Sequence, residues 1–194
     1  MSEKELKQLA EKKKAIFEST LELIKENGFH GTPMSQVAKR AGVACGTIYH
    51  YFDSKDTLIL ELHAYIKEQM TDALLQNDDQ NQDFKSRLMN YWRKHFQFYI
   101  QHPDYLFFME QFVNSPYYNR CPDYHGQRFQ SIIVQFIEDG ISTGKLKPIQ
   151  TKLMGVIMHA NIITAAKIYL GDRIQMSEVE VEQYFEFIWD GVKM

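Results

Sequence analysis

Residues 34–52 read MSQVAKRAGVACGTIYHYF, and the spacing of three of them decides how the chain folds. Ala38, Gly42 and Ile48 stand at the spacing of a helix-turn-helix. The small Ala38 lets two helices approach closely, and Gly42 takes positive φ in the tight turn. Val37, Val43 and Ile48 fill the space between the helices. The other residues of the second helix, Cys45, Thr47, Tyr49 and His50, then point outward. Short polar and aromatic groups in that position reach base edges and phosphates of a DNA major groove.

Working outward, the chain reads as helical nearly throughout, without strand-type alternation and without an internal repeat. A first helix covers about Glu5–Glu26, with Leu9, Ile16, Phe17, Leu21 and Ile24 on one broad face. Asn27-Gly28 stops it. Thr32-Pro33 restarts a helix, with Thr32 as N-cap and Pro33 at the first helical position. That helix ends near Ala41-Gly42, a short one spans about Cys45–Tyr51, and Asp53 or Ser54 caps the next, from Lys55 to about Gln76. The seven polar residues Asn77–Asp83 form a solvated loop; a calcium loop would need a glycine and a distal glutamate that they lack. Further helices are expected at about Phe84–Gln101, Asp104–Asn114, Pro122–Thr143, Thr151–Leu170 and Ser177–Val192, separated by proline and glycine turns.

The longer string from 12 to 58 resembles the N-terminal DNA-binding domain of the TetR/AcrR family of transcriptional regulators. The resemblance lies in Glu26-Asn27-Gly28-Phe29, Gly31-Thr32, Val37 to Val43, Gly46 to Phe52 and Ser54-Lys55-Asp56-Thr57-Leu58. It implies an all-α protein of about nine helices. A three-helix helix-turn-helix domain at 1–54 would precede a helical-bundle ligand-binding and dimerisation domain at 55–194. It also implies that Thr32, Gly46, Thr47, Tyr49, His50, Tyr51 and Lys55 contact DNA; Ser35 and Cys45 complete the expected DNA-binding set. Gly46 would admit a phosphate close to the backbone, and Lys55 would add charge at the start of the fourth helix. Ala44 and Cys45 stand where a hydroxyl and a lysine are frequent in the family, and Pro33 where a second Thr or Ser is common. With fewer fixed charges, the salt dependence of binding should be shallower. Lys12, Lys13 and Lys14 either add phosphate contacts or form a solvated helix end. Cys45, near Lys39 and Arg40, is either a thiol switch or a small neutral residue facing the groove.

Residues 84–129 hold 14 of the 26 aromatic residues. Phe84, Leu88, Tyr91, Trp92, His95 and Tyr99 share one helix face. Such a cluster is either a plain aromatic core or the wall of an apolar cavity with a few polar tips. The resemblance favours a cavity that holds an inducer. The expected ligand-binding set is Tyr91, Trp92, His95, Phe108, Met109, Phe112, Phe129 and Asn161. The stretch Leu153–Leu170 has 13 apolar residues in 18, but His159, Asn161 and Lys167 argue for a buried helix over a membrane span. It is apolar around much of its circumference, so one side needs cover from a second subunit. With the last helix it should build a homodimer interface through Ile157, Ala160, Thr164, Tyr184, Phe185 and Ile188.

The 194 residues carry a net charge of −3, which excludes a globally basic nucleic-acid coat. Charge divides unevenly, +2 over residues 1–55 and −5 over 56–194, so a mildly basic head meets the anion. Cys45 and Cys121 form no CxxC pair, and a reducing cytoplasm is the simplest compartment. No secretory signal is visible. His95, His102, His125 and His159 offer no i, i+3 or i, i+4 ligand pair, so no metal and no cofactor is expected. No catalytic motif is present. A helical enzyme using the aromatic cavity and an architectural or protein-binding module are the rival classes. Ligand turnover would mark the first, and sequence-independent or absent DNA binding the second. The reading favoured by the residues is a homodimeric repressor. It holds a near-palindromic double-stranded operator, and a small, largely apolar inducer releases it; no membrane partner is expected.

Overall fold

A computed structural model describes residues 3–76, 79–122, 126–171 and 176–194, with side chains from residue 7 onward. Among them nine α-helices account for nearly all regular structure. They are α1 (Glu3–Asn27), α2 (Met34–Arg40), α3 (Cys45–Tyr51), α4 (Lys55–Leu75), α5 (Phe84–Gln101), α6 (Pro103–Val113), α7 (Gln127–Ser142), α8 (Thr151–Leu170) and α9 (Glu178–Val192). A single 3-10 turn, Tyr118–Arg120, follows α6. The all-α reading and the helix-turn-helix therefore stand.

By packing, the chain forms two units. The first combines residues 1–65 with 104–125, and the second combines 66–103 with 126–194. The division falls inside α4, not at its start after residue 54, and α6 joins the first unit.

In the first unit α1 packs on α2 and α2 on α3. Ile16, Val37, Ala38, Ile48, Phe52 and Leu62 are buried at its centre. The α1–α2 turn carries Gly28 at φ 66°, a conformation that costs glycine little. Thr32 differs from expectation. Pro33 is the N-cap of α2 with no side-chain capping bond, and the Thr32 hydroxyl instead donates back to the Gly28 carbonyl at 2.9 Å. This is a local turn bond of the kind that short hydroxyl residues make in competition with capping. Ser54 does cap α4, its Oγ accepting from Thr57 N–H at 3.1 Å.

In the second unit α5 and α7 pack on α8, and α9 touches both α5 and α8. Asp83 caps α5 through Ser86 N–H, and Ser177 with Glu180 forms a reciprocal capping box on α9. Helix α7 begins at Gln127 instead of Pro122; residues 123–125, His125 included, lie outside the described residues, as do 77–78 of the polar loop. Gly140 lets α7 close over its neighbours, since a Cβ there would meet the Phe84 ring at 2.4 Å and Leu146 at 2.7 Å.

Helix α8 is long and apolar enough to cross a membrane by composition alone. It is buried on one side only, through Met154, Ile162, Ala165 and Ala166, while Leu153, Val156 and Ile157 face solvent. The expectation of a buried helix is thus met only along one narrow face.

Candidate nucleic-acid interface and ligand cavity

The turn between α2 and α3 is tight. Gly42 sits at φ 66°, and the Val43 N–H donates to Ala38 O at 3.0 Å. Helix α3 is anchored by one buried side chain, Ile48. Cys45, Gly46, Tyr49 and His50 are exposed, Tyr49 to 50%, while Thr47, Tyr51 and Lys55 are half-buried. Ser35 on α2 is exposed as well. Two glycines contrast. A Cβ at Gly31 would strike Asn27 O at 2.5 Å, so the fold itself requires glycine there. At Gly46 a Cβ meets nothing within 4 Å, so the protein's own packing does not demand a glycine on this exposed helix.

Several expected contacts are placed elsewhere. Thr32 is 2% exposed and its hydroxyl is spent on Gly28, so its side chain cannot reach DNA without breaking the turn. Arg40 is held as a fork on Glu26, at 2.6 and 2.9 Å, with Glu22 at 3.6 Å. That pairing engages one of the two cations, Lys39 and Arg40, that were expected beside Cys45. Lys13 pairs with Glu61 at 2.6 Å and lies near the Phe17 and Phe52 rings, which fixes it inside its own unit. Burial lowers the pKa of Lys55 against the opposing charge of Asp56.

The expected ligand residues split between the units. Phe108, Met109 and Phe112 belong to the core of the first unit. Phe108 meets Phe29 edge-on at 5.8 Å, and Phe112 stacks on His63 at 4.2 Å. The aromatic cluster marked them as core or cavity wall, and they are core of the first unit.

The second unit does contain a cavity, of about 60 Å³, walled by α5, α7, α8 and Leu74 of α4. Tyr91, Trp92, His95 and Phe129 line it as expected. Ile133, Phe136, Met158 and His159 line it too, and the expected set lacks them. The i, i+4, i+7 spacing of Phe129, Ile133 and Phe136 on α7 was the signal that would have found half of that wall. Asn161 stands outside the wall. Its Oδ1 accepts from Trp92 Nε1 at 3.3 Å and its amide donates to Tyr184 Oη at 3.2 Å, so it orients the indole.

His95 is the polar feature of the cavity. It is 4% exposed, and its Nε2 has no hydrogen-bond partner. Its ring lies 5.1 Å from that of His159, whose Nε2 is 3.0 Å from the Tyr99 hydroxyl. The Lys67 ammonium stands 4.2 Å from the centre of the Phe129 ring. Burial above all, then the charges of His159 and Lys67, hold the His95 pKa well below the ordinary imidazole value, and burial pushes the Tyr99 phenol up.

A stability trend follows. An unfolded histidine titrates near 6.5, at a pH where folded His95 is still neutral. The unfolded chain therefore takes up the proton first. The stabilisation is complete above pH ~6.5 and declines as the pH falls below it, by up to about 1.4 kcal/mol per pH unit per such group. His102, also lowered by burial, adds in the same direction. Urea melts from pH 7.5 to 5.5 should show this loss, and His95→Phe should flatten it; an equal slope in the variant would remove His95 from the account.

The last two helices carry apolar side chains that their own chain leaves bare. Phe187 is 76% exposed, Val179 66% and Val156 61%. Of the expected dimer residues, Ile157, Ala160 and Thr164 are exposed, and Tyr184 and Ile188 half-buried. Phe185 is a correction: at 1% exposure it packs edge-on against Trp92 at 5.9 Å and is unavailable to a partner. Phe187, two residues on and so across the helix, was missed.

Two family models match the chain: bacterial regulatory proteins of the tetR family over residues 16–62, and the tetracyclin repressor-like C-terminal domain over 63–194. The fatty acid metabolism regulator protein of Bacillus subtilis (strain 168) is 34% identical over 91 residues, 47% of either chain. The HTH-type transcriptional regulator BetI of Escherichia coli (strain K12 / DH10B) is 39% identical over 64 residues, 33% of either. The matched stretches thus span about half and a third of those relatives. Among solved structures, a TetR family transcription regulator from Marinobacter aquaeolei VT8 superposes with TM-score 0.86 at 23% identity, covering 96% of this chain and 98% of that one. The transcriptional regulator FadR from Bacillus subtilis, solved in complex with stearoyl-CoA, superposes with TM-score 0.75 at 21% identity, covering 91% and 97%.

Proposed function

This chain belongs to the tetR family of bacterial regulatory proteins and is a DNA-binding transcriptional regulator, and from that premise we propose that it is a ligand-released repressor. It acts as a homodimer in the cytoplasm, and a small, largely apolar molecule in the second unit lowers its hold on a near-palindromic operator. The observation that carries the DNA half is α3 itself, a helix anchored by Ile48 alone that presents Cys45, Gly46, Tyr49 and His50 to solvent. Two-fold symmetry would set two copies of α3 about one DNA turn apart or a little more. The cavity around His95 supports the ligand half. So does the structurally similar FadR, the same fold solved in complex with a small molecule, stearoyl-CoA. Bare apolar side chains on α8 and α9 support the dimer.

Helix α4 runs unbroken from Lys55, four residues beyond α3, to Leu75, beside the cavity-lining Leu74. A ligand that shifts its far end would move its near end. A coupling of about 1–3 kcal/mol changes operator affinity 5–150-fold.

The test begins with selection of duplexes from a random pool by the purified dimer. Recovery of paired half-sites, with Tyr49→Ala weakening binding about tenfold or more at unchanged thermal stability, is the expected result. Sequence-independent binding that Tyr49→Ala does not alter would point to an architectural protein instead.

A further inference from the structure

The polar content of the cavity is almost a single atom. Among the described residues that line it there is no Asp, Glu, Lys or Arg. Its polar side-chain groups are the imidazoles of His95 and His159, the Tyr91 hydroxyl and the Trp92 indole N–H, the last donated to Asn161. The Tyr91 hydroxyl has Arg87 at 3.4 Å, and His159 Nε2 has Tyr99 at 3.0 Å. His95 Nε2 alone is buried with its hydrogen bond unmade. Buried polar atoms are paired as a rule, and one left over costs the full desolvation of the group.

We propose that the cavity selects a compact, uncharged aromatic alcohol, a phenol in the simplest case, whose hydroxyl pairs with His95 Nε2. This rests on the ligand-responsive reading above and narrows it. A carboxylate or an ammonium would be buried with no charged side chain in the lining to pair with directly. The cations nearby, Lys67 over the Phe129 ring at 4.2 Å and Arg87 over the Phe136 ring at 5.2 Å, stand outside it, and burying a charge without direct pairing is far more expensive than burying a hydroxyl. A hydroxyl both donates and accepts, so it satisfies Nε2 in either imidazole tautomer. Neutral His95 suits a neutral guest, and a phenol stays protonated near pH 7. The aromatic walls Tyr91, Trp92, Phe129 and Phe136 match a ring.

Size argues for compactness. The resting space of about 60 Å³ is well below the ~150 Å³ that holds benzene in an engineered apolar cavity. A ring enters only as the wall yields, and Met158, unbranched and adaptable, is the lining side chain best suited to turn aside. A long acyl chain finds no such room.

Three probes of similar body separate the possibilities: p-cresol, toluene and benzoate, each titrated against the intact protein. Trp92, in the wall, reports occupancy by its fluorescence, and calorimetry gives affinity. Saturable binding of p-cresol, toluene weaker by about tenfold or more, and no binding of benzoate is the expected pattern. His95→Phe should bring p-cresol and toluene to equal affinity, and His95→Gln should restore part of the difference. Equal binding of toluene and p-cresol by the unaltered protein, or tightest binding of benzoate, would overturn the phenol assignment and leave the ligand-released repressor standing. Silence with all three probes up to millimolar concentration would also overturn the phenol assignment, while loss of operator release with every ligand would be the separate failure of the repressor reading.

Discussion

Phe187→Glu should yield a folded monomer that has lost most of its operator affinity. The ring is 76% exposed in the single chain, so the substitution removes no packing from the protomer's core. On the proposed interface it buries a carboxylate in an apolar surface, which no partner group repays. Once the dimer is lost, the second half-site no longer binds from within the same complex, and a linked second contact is worth about 10²–10⁴ in avidity. Sedimentation and fluorescence anisotropy on whole and half operators measure the two effects separately. The variant should bind a half-site like the unaltered chain and a whole site little better. A Phe187→Glu protein that remains dimeric with normal affinity would place the subunit contact elsewhere than on this part of α9.

Trp92→Ala should be the most destabilising single truncation in the second unit. The indole is 2% exposed, stacked on Phe96 at 5.3 Å and edge-on to Phe185 at 5.9 Å, and its Nε1 donates to Asn161. Removing it widens the cavity and leaves the Asn161 carbonyl without that donor. Truncations of this size cost about 3–5 kcal/mol. For a chain of this length the melting temperature should fall on the order of 10 °C. Trp92→Phe, which keeps most of the volume and loses only the N–H, should cost about 1–2 kcal/mol. Calorimetric melts of both at one protein concentration check the pair, since dimerisation makes the melting point depend on concentration. A loss under 1 kcal/mol for the alanine variant would mean that the cavity collapses around the gap.

The helix-turn-helix was legible because its constraints are local. Gly42 must turn, Ala38 must be small and Ile48 must be apolar, all within a span that sequence spacing resolves. The cavity was legible only in part. Period 3.6 says that Phe108 and Phe112 are buried, yet it does not say against what, and they fill the first unit with Phe29 and His63. Phe185 and Phe187 show the same limit. Residues two apart on a helix face opposite ways, and α9 is apolar on both sides, so its pattern could not tell the protomer's own core from the surface left bare. Thr32 was misread because a hydroxyl can cap the next helix or bond back to the previous one, and only the turn geometry chooses. His95 was expected in the wall, but its unpaired nitrogen depends on every neighbour and no local pattern encodes it.

That α6 packs with the first unit has a consequence for how the protein is made. Residues 1–65 emerge from the ribosome with Phe29 and His63 already in place, but Phe108 and Phe112, which cover them, are encoded after residues 66–103. At about 5–20 residues per second, synthesis leaves that surface uncovered for some seconds. The DNA-reading head is thus finished by a segment translated after part of the second unit. A fragment ending at residue 65 should be soluble only in so far as its chaperones tolerate the missing lid.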